Sequence, residues 1–156
     1  ALHSRLGDMK ALCELRVHRN RLSALPDGIG ELVQLKEMHA QQNRLSALPE
    51  SVGNLRELRE LDLTDNALTA LPHSIGGLGQ LRRLNLRNNA LTVLPSSLGE
   101  LAQLTHLDLR ANPLHTLPKE IATLPRLEKL DLRWCQLDPA PTWLADLQAR
   151  GCTVYQ

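Results

Sequence analysis

The chain has 156 residues, enough for one domain with its own core, and its composition gives no reason to divide it further. Its 18 lysines and arginines nearly balance 17 aspartates and glutamates, so the net charge is +1, and we predict that neither nucleic acid nor a membrane surface is a partner. Hydrophobic residues make up 42% of the chain but include no phenylalanine, so a core must be built from aliphatic side chains.

The cellular compartment of the protein is predicted from sequence features that the chain lacks. No apolar run reaches the roughly 18 residues of a membrane span, and residues 1–10 lack the apolar stretch of a signal peptide. Cys13, Cys135 and Cys152 are odd in number and show no C-x-x-C spacing. We therefore predict a cytoplasmic location, with an exported bacterial protein as the alternative, and expect Cys152 to be the most exposed thiol.

Residues 1–11 look like the second half of the repeat that fills the rest of the chain, with His3 where that repeat has proline. No polar cap is visible before this partial repeat, and the chain does not begin with methionine. Because the first coil of a repeat protein needs covering, we predict that the chain was cut from a longer protein.

Residues 12–126 contain five regular repeats of 23 residues, and residues 127–156 hold a divergent last repeat and a C-terminal cap. The pattern is L-x-x-L-x-L-x-x-N-x-L-x-x-L-P-x-x-I-G-x-L-x-x. Its L-x-L segment alternates inward and outward side chains, which predicts a short strand with one buried face. The six copies begin at Leu12, Leu35, Leu58, Leu81, Leu104 and Leu127.

Three further positions recur within each repeat. An asparagine follows the strand, where its amide can satisfy both backbone donors and backbone acceptors. A Leu-Pro pair then suits the start of a short helical or 3₁₀ segment, and a glycine four positions later predicts a turn or a close contact between coils. The residues are Asn20, Asn43, Asn66, Asn89 and Asn112, then Pro26, Pro49, Pro72, Pro95 and Pro118, and then Gly30, Gly53, Gly76 and Gly99.

The C-terminal segment departs from the repeat. Cys135 replaces the asparagine, and residues 137–151 place Trp143, Leu144 and Leu147 on one side of a predicted longer helix that ends near Gly151. Residues 152–155 have strand character. We expect the helix to cover the last coil and the strand to close the sheet edge.

These repeats resemble the leucine-rich-repeat family, in particular its 23-residue L-P-x-x-I-G-x-L type of bacterial and plant intracellular proteins. The resemblance covers essentially the whole chain. It implies an α/β fold, a single right-handed solenoid of residues 1–156, with a concave parallel β-sheet and short helical or 3₁₀ segments on the convex side. It also implies a recognition or scaffold role, although fold alone is a weak guide to function.

If the leucines point inward, the other strand residues face the concave side. Equivalent residues of successive repeats then form rows across the strands, with about 4.8 Å between neighbouring members of a row. The row just before the central leucine changes sign halfway along the solenoid: its members are Glu14, Glu37, Glu60, Arg83, His106 and Lys129. A row four residues further along each repeat ends in Arg87, Arg110 and Arg133, and the adjoining row ends in Trp134. Arginine and tryptophan are frequent binding hot spots. The predicted partner-binding residues are Arg87, Arg110, Arg133, Trp134, Asp62, Asp108, Asp131, His39, Glu37 and Glu60.

Two of these interpretations have structural alternatives of equal weight. Asp108 and Asp131 could simply neutralise Arg110 and Arg133 in a solvated ladder that contributes little to binding. Trp134 could pack under the C-terminal helix and not face a partner.

Catalytic and metal motifs are not evident in the sequence. His18 and His39 lie two positions out of register on neighbouring predicted strands, so we predict no metal site and no cofactor. No G-x-S-x-G or H-E-x-x-H motif occurs, and the glycines at 76, 77 and 79 belong to the repeat. The prediction is a monomeric, non-catalytic module that binds a protein partner. The alternatives are the recognition domain of a larger ubiquitin ligase, kinase or GTPase, and self-association through the first coil.

Overall fold

The computed structural model describes residues 2–156; the predicted domain also includes residue 1, which lies outside this range. Seven three-residue strands form one parallel sheet in chain order, each hydrogen-bonded to the next. Equivalent residues of consecutive repeats face each other throughout, so the repeat register is also the sheet register. The strands are β1 Glu14–Arg16, β2 Glu37–His39, β3 Glu60–Asp62, β4 Arg83–Asn85, β5 His106–Asp108, β6 Lys129–Asp131 and β7 Thr153–Tyr155.

The sheet has one buried and one accessible face, because the middle residue of each of the first six strands is buried while most of its neighbours are not. The buried leucines, isoleucines and valines of all coils join in one continuous core. This is the alternation that the L-x-L spacing predicts, and it places the polar strand residues on the opposite, concave face.

The return arms are 3₁₀ helices, and each arm that follows a Leu-Pro pair has that proline as its N-cap residue in extended conformation. Proline suits this position because it fixes φ and lacks the N–H that the first turn leaves unpaired. The six helices are Ser4–Asp8, Asp27–Glu31, Glu50–Asn54, His73–Gly77, Ser96–Glu100 and Lys119–Thr123. The expectation of short helical or 3₁₀ arms is confirmed.

The recurring asparagines connect neighbouring coils. The Nδ2 of Asn112 donates to the carbonyls of Leu109 in its own coil and Leu86 in the preceding coil, both at 2.9 Å. Its Oδ1 accepts the Leu91 N–H at 3.2 Å. Asn43, Asn66 and Asn89 repeat this pattern. One amide therefore pairs backbone donors and acceptors that the strands leave unpaired.

The recurring glycines mark close contact between coils and not a glycine-specific turn. A Cβ on Gly53 would lie 2.3 Å from the Ser74 carbonyl oxygen of the next arm. None of the four recurring glycines has a positive φ. The arms consequently stack with backbone against backbone.

The C-terminal end follows the prediction in part. Helix α1, Leu144–Ala149, buries Leu144 and Leu147 on the last coil, as expected, and with six residues it is only one residue longer than the five-residue arms. Strand β7 pairs in parallel with β6 and closes that edge of the sheet, as expected. The expectation for the thiols is wrong, because Cys152 is buried beneath this end of the sheet while Cys13 is exposed.

Candidate functional site

Four rows of side chains cross the concave face from β1 to β6. The first two rows come from the first and third residues of each strand. The third and fourth rows lie two and three residues after the last residue of each strand, where backbone hydrogen bonds such as Arg19 N–H to the Gln41 carbonyl, 2.9 Å, continue the ladder. The first row is Glu14, Glu37, Glu60, Arg83, His106 and Lys129. The second is Arg16, His39, Asp62, Asn85, Asp108 and Asp131; the third is His18, Gln41, Thr64, Arg87, Arg110 and Arg133; the fourth is Arg19, Gln42, Asp65, Asn88, Ala111 and Trp134.

All six residues of the fourth row have left-handed backbone conformation, with φ between 53° and 62°. This conformation is uncommon for residues other than glycine. It forms the tight bend that returns the chain toward the recurring asparagine. At the last position the bend holds Trp134 away from the core.

Arg110 and Arg133 are held by aspartates on the same face. Arg110 Nε lies 2.9 and 3.0 Å from the two carboxylate oxygens of Asp108 and 3.5 Å from Asp131 Oδ2. Arg133 donates to Asp131 at 2.9 and 2.7 Å. The neutralising ladder is therefore the arrangement that the structure shows for these two arginines. Arg87 is exposed and makes no side-chain hydrogen bond or ion pair with any residue from 2 to 156.

Asp131 is the most buried charged group of the face, with 1% of its surface exposed. Burial alone would raise the pKa of its carboxyl group. The side-chain and backbone hydrogen bonds from Arg133 and the positive charge of Arg110 outweigh burial, so the pKa is lowered. Asp131 thus anchors two arginines, and it offers little surface to a partner itself.

A test of this anchor follows from its lowered pKa. We expect Asp131→Asn to lower the free energy of unfolding by about 2 kcal/mol at neutral pH, because charged hydrogen bonds are lost. The ionised carboxylate stabilises the fold above its unfolded-state pKa of about 3.9, and this stabilisation disappears as the pH falls through the lower folded-state value. Urea unfolding from pH 7 to pH 2.5 should show the two proteins converging in acid. A difference that stays constant over this range would contradict the assignment.

Trp134 is 67% exposed, so it does not pack under α1. The guanidinium of Arg133 lies 5.7 Å from the centre of the Trp134 ring and 5.1 Å from the centre of the Tyr155 ring. Lys129 Nζ lies 5.1 Å from the same Tyr155 ring. The C-terminal end of the face therefore combines exposed aromatic surface with two cations.

Tyr155 is a site candidate that sequence reasoning missed. It is 39% exposed and lies opposite Asp131 in the sheet register, which extends the second row by one strand. A signal for it was present in the sequence. If residues 153–155 pair with β6 as a strand, the alternation of side chains puts Tyr155 on the accessible face.

The opposite end of the face holds a group that could bind a metal ion. Ligand atoms of Glu14, Glu37 and His39 all lie within 4.8 Å of one another, and no other set of three such side chains converges in the described part of the chain. The Nε2 of His39 is 3.3 Å from Glu37 and 3.8 Å from Glu14. Arg16 already pairs with Glu14. The cluster is thus partly compensated by its own neighbours.

The remaining predicted residues are distributed between these two ends. Asp62 is half-buried, and its Oδ1 accepts the Thr64 N–H at 3.0 Å. Glu60 is half-buried on β3 and has no ion-pair partner among residues 2–156.

Two of the three thiols, Cys135 and Cys152, are at least partly buried. Burial raises the pKa of both Cys135 and Cys152 and so disfavours their thiolate forms. Cys135 occupies the asparagine position of the last repeat, where its thiol contacts the Leu109 carbonyl oxygen at 3.2 Å. Both side chains have structural roles.

Comparison with known families decides the relationship. The leucine-rich repeat region family matches residues 23–107, more than half of the chain, and a second leucine-rich repeat family matches residues 80–137. The chain belongs to the leucine-rich-repeat family. The predicted leucine-rich-repeat fold is confirmed. No curated protein sequence matches the chain significantly.

Solved structures of this leucine-rich-repeat fold agree closely. A Leptospira interrogans leucine-rich-repeat protein has 36% identity and a TM-score of 0.92, over 99% of this chain and 39% of the other. The ectodomain of the Arabidopsis thaliana receptor kinase GASSHO1/SCHENGEN3, solved with Casparian strip integrity factor 2, has 37% identity and a TM-score of 0.79, over 86% and 17%. The repeat domain of the type III effector XopL has 31% identity and a TM-score of 0.80, over 98% and 63%.

The chain thus spans less than two thirds of the length of each of these three leucine-rich-repeat structures. Leucine-rich repeats commonly mediate contacts between proteins. Within residues 2–156, no helix is both long enough and apolar enough to cross a membrane.

Proposed function

We propose that this leucine-rich-repeat chain is a non-catalytic recognition module whose concave face binds a protein partner. The observation that carries the proposal is the exposed cluster of Arg133, Trp134 and Tyr155 at one end of a pre-formed sheet. Aromatic residues and arginine are enriched among the residues that contribute most binding energy. A sheet with its register fixed by the core also loses little conformational freedom on binding.

The unpaired Arg87 and the first-row cations extend this surface toward the centre of the sheet. Glu37, Glu60, His39 and Asp62 supply polar contacts at the other end. Asp108, Asp131 and Arg110 hold each other in place, and we assign them the role of a rigid, charged frame that also positions Arg133 for the partner. This division of roles refines the set of binding residues expected from sequence alone.

Several finer features belong to the same proposal. We take the chain to be a single repeat domain over residues 1–156, with regular repeats at 12–126, and to act as a monomer in the cytoplasm. Three cysteines without a disulfide agree with a reducing compartment. Neither nucleic acid nor a membrane surface is expected as a partner, and no cofactor is required.

Affinity capture from the source cell, followed by titration of the purified partner, tests the proposal. We expect Trp134→Ala to weaken binding at least tenfold, about 1.4 kcal/mol, without changing the melting temperature, because Trp134 is 67% exposed. Val33→Ala is the matched control, since Val33 is 53% exposed and lies outside the four rows. Equal weakening by the two substitutions, or none by either, would overturn the concave-face assignment.

A second proposal is that the same surface serves as the recognition part of a larger enzyme, such as a ubiquitin ligase, kinase or GTPase. The observation in its favour is the 37% identity to part of a receptor kinase ectodomain, of which the chain covers 17%. Determining the full-length gene product tests it, because a catalytic domain on the same polypeptide is required.

A further inference from the structure

The concave face is electrically polarised, although the whole chain carries a net charge of only +1. On β1 to β3, the first three rows contain four carboxylates and one arginine, a net charge of −3 with neutral histidines. On β4 to β6, the same rows contain five lysines and arginines against two aspartates, a net charge of +3. The sign changes between β3 and β4, where Glu60 faces Arg83 in the register.

Internal ion pairs decide which of these charges a partner can use. Pairs within the face compensate Glu14, Asp108 and Asp131. Glu60 and Asp62 have no ion-pair partner on the acidic side in the described chain, and neither do Arg83 and Arg87 on the basic side. Lys129 contacts the Tyr155 ring, which leaves its charge unneutralised. Uncompensated charge of opposite sign therefore lies on both sides of the sign change.

A cavity of about 200 Å³ lies across this boundary, lined by Glu60, Arg83, Asn85, His106, Asp108 and Lys129. Asp108 is already paired with Arg110, and Asp131, which also lines the cavity, is paired with Arg133. Arg83 and Lys129 form no ion pair with a carboxylate among residues 2–156. The basic side of the cavity therefore favours a carboxylate from the partner.

We propose that the partner segment is an extended stretch with basic residues at one end and acidic residues at the other, lying across the strands. This inference rests on the proposed concave-face function. The centres of the two charged halves, near Glu37 and His106, are three strand spacings apart, about 14 Å. An extended chain covers this distance in about four residues, and residues four apart point to the same side. The basic residues lie over β1 to β3 and the acidic residues over β4 to β6.

Each exposed ion pair contributes little to affinity, and salt screens it. The polarised rows therefore select the order of charges in a partner more strongly than they raise affinity. Similar charge patterns direct encounter and suppress wrong partners in other complexes.

Two synthetic peptides of identical composition test the inference by NMR titration at low ionic strength. One carries its charges in blocks, Lys-Ser-Lys-Ser-Glu-Ser-Glu, and the other alternates them, Lys-Ser-Glu-Ser-Lys-Ser-Glu. We expect the block peptide to bind at least threefold more tightly, with the difference shrinking as salt is added. Equal affinities, or no binding of either peptide at millimolar concentration, would overturn the inference.

Charge-reversal variants test whether the preference for the block peptide arises on the concave face. The double variant Arg83→Glu, Lys129→Glu makes the first row acidic, so we expect it to lose the preference for the block peptide. It should gain at least threefold in affinity for Lys-Ser-Lys-Ser-Lys-Ser-Lys. The matched control is Arg56→Glu, Lys119→Glu, which changes the same two residue types at exposed positions outside the four rows. Loss of the preference in the control as well would contradict a concave-face origin. Circular dichroism checks that all variants are folded.

The two proposals can fail separately. If the natural partner depends on Trp134 but wild-type protein does not distinguish the two peptides, the charge order is wrong and the binding face stands. If the peptides are distinguished but the natural partner is insensitive to concave substitutions, the proposed function is wrong.

Discussion

Replacing Asn112 with alanine is expected to lower the free energy of unfolding by about 3 kcal/mol. The side chain is 1% exposed and pairs with the backbone of two coils. Alanine would leave the Leu91 N–H and the Leu86 and Leu109 carbonyl groups without this partner. Each buried unpaired polar group costs about 1 to 3 kcal/mol.

The same substitution at Asn20 is the matched control. Asn20 occupies the equivalent position of the first regular repeat but is exposed, and its amide donates only to carbonyls of its own coil, Val17 and His18. We expect Asn20→Ala to cost less than about 1 kcal/mol in urea unfolding. Similar losses for the two variants would mean that the asparagines do not connect the coils.

Replacing Gly53 with alanine is the second substitution with a large expected effect, also about 3 kcal/mol. The added methyl group would lie 2.3 Å from the Ser74 carbonyl oxygen and 2.7 Å from its Cβ. Because the closest atom belongs to the backbone, it cannot move aside by changing a rotamer. The arms would have to separate, which disturbs contact between the two coils.

Gly79→Ala serves as the control for this prediction, since a Cβ at Gly79 meets no other atom within 4 Å. We expect its free energy of unfolding to stay within about 0.5 kcal/mol of wild type or to rise slightly, because alanine restricts the unfolded chain. Thermal unfolding followed by circular dichroism measures both variants. An equally stable Gly53→Ala protein would show that the arms are not in close contact.

The fold was predictable because the same pattern of leucines recurs in every repeat and so indicates the same strand register each time. Leucine alternation fixed which face of each strand is buried, and the asparagine and proline positions each had one physical explanation that the structure confirms. The glycine position had two explanations, a turn or a close contact between coils, and the structure shows the close contact. The C-terminal end was less predictable, since the length of α1 and the burial of Cys152 depend on how that segment packs on the last coil. No repeat pattern constrains such packing.

The candidate site was predictable as a set of rows but not as a set of interactions. Sequence alone could not decide whether Arg110 and Arg133 pair with Asp108 and Asp131, because the outcome depends on rotamers and on the burial of Asp131. It likewise left the exposure of Trp134 undecided. The approach of His39 to Glu37 was readable, however, because residues two apart on one strand share a face.

Mapping the bound partner on this chain tests the central claim most directly. Amide chemical-shift changes on adding the purified partner should concentrate in the four rows, with the largest changes near Arg87, Lys129 and Trp134. Changes confined to the 3₁₀ arms, for example at Ser96–Glu100, would place the binding surface on the convex side and contradict the account.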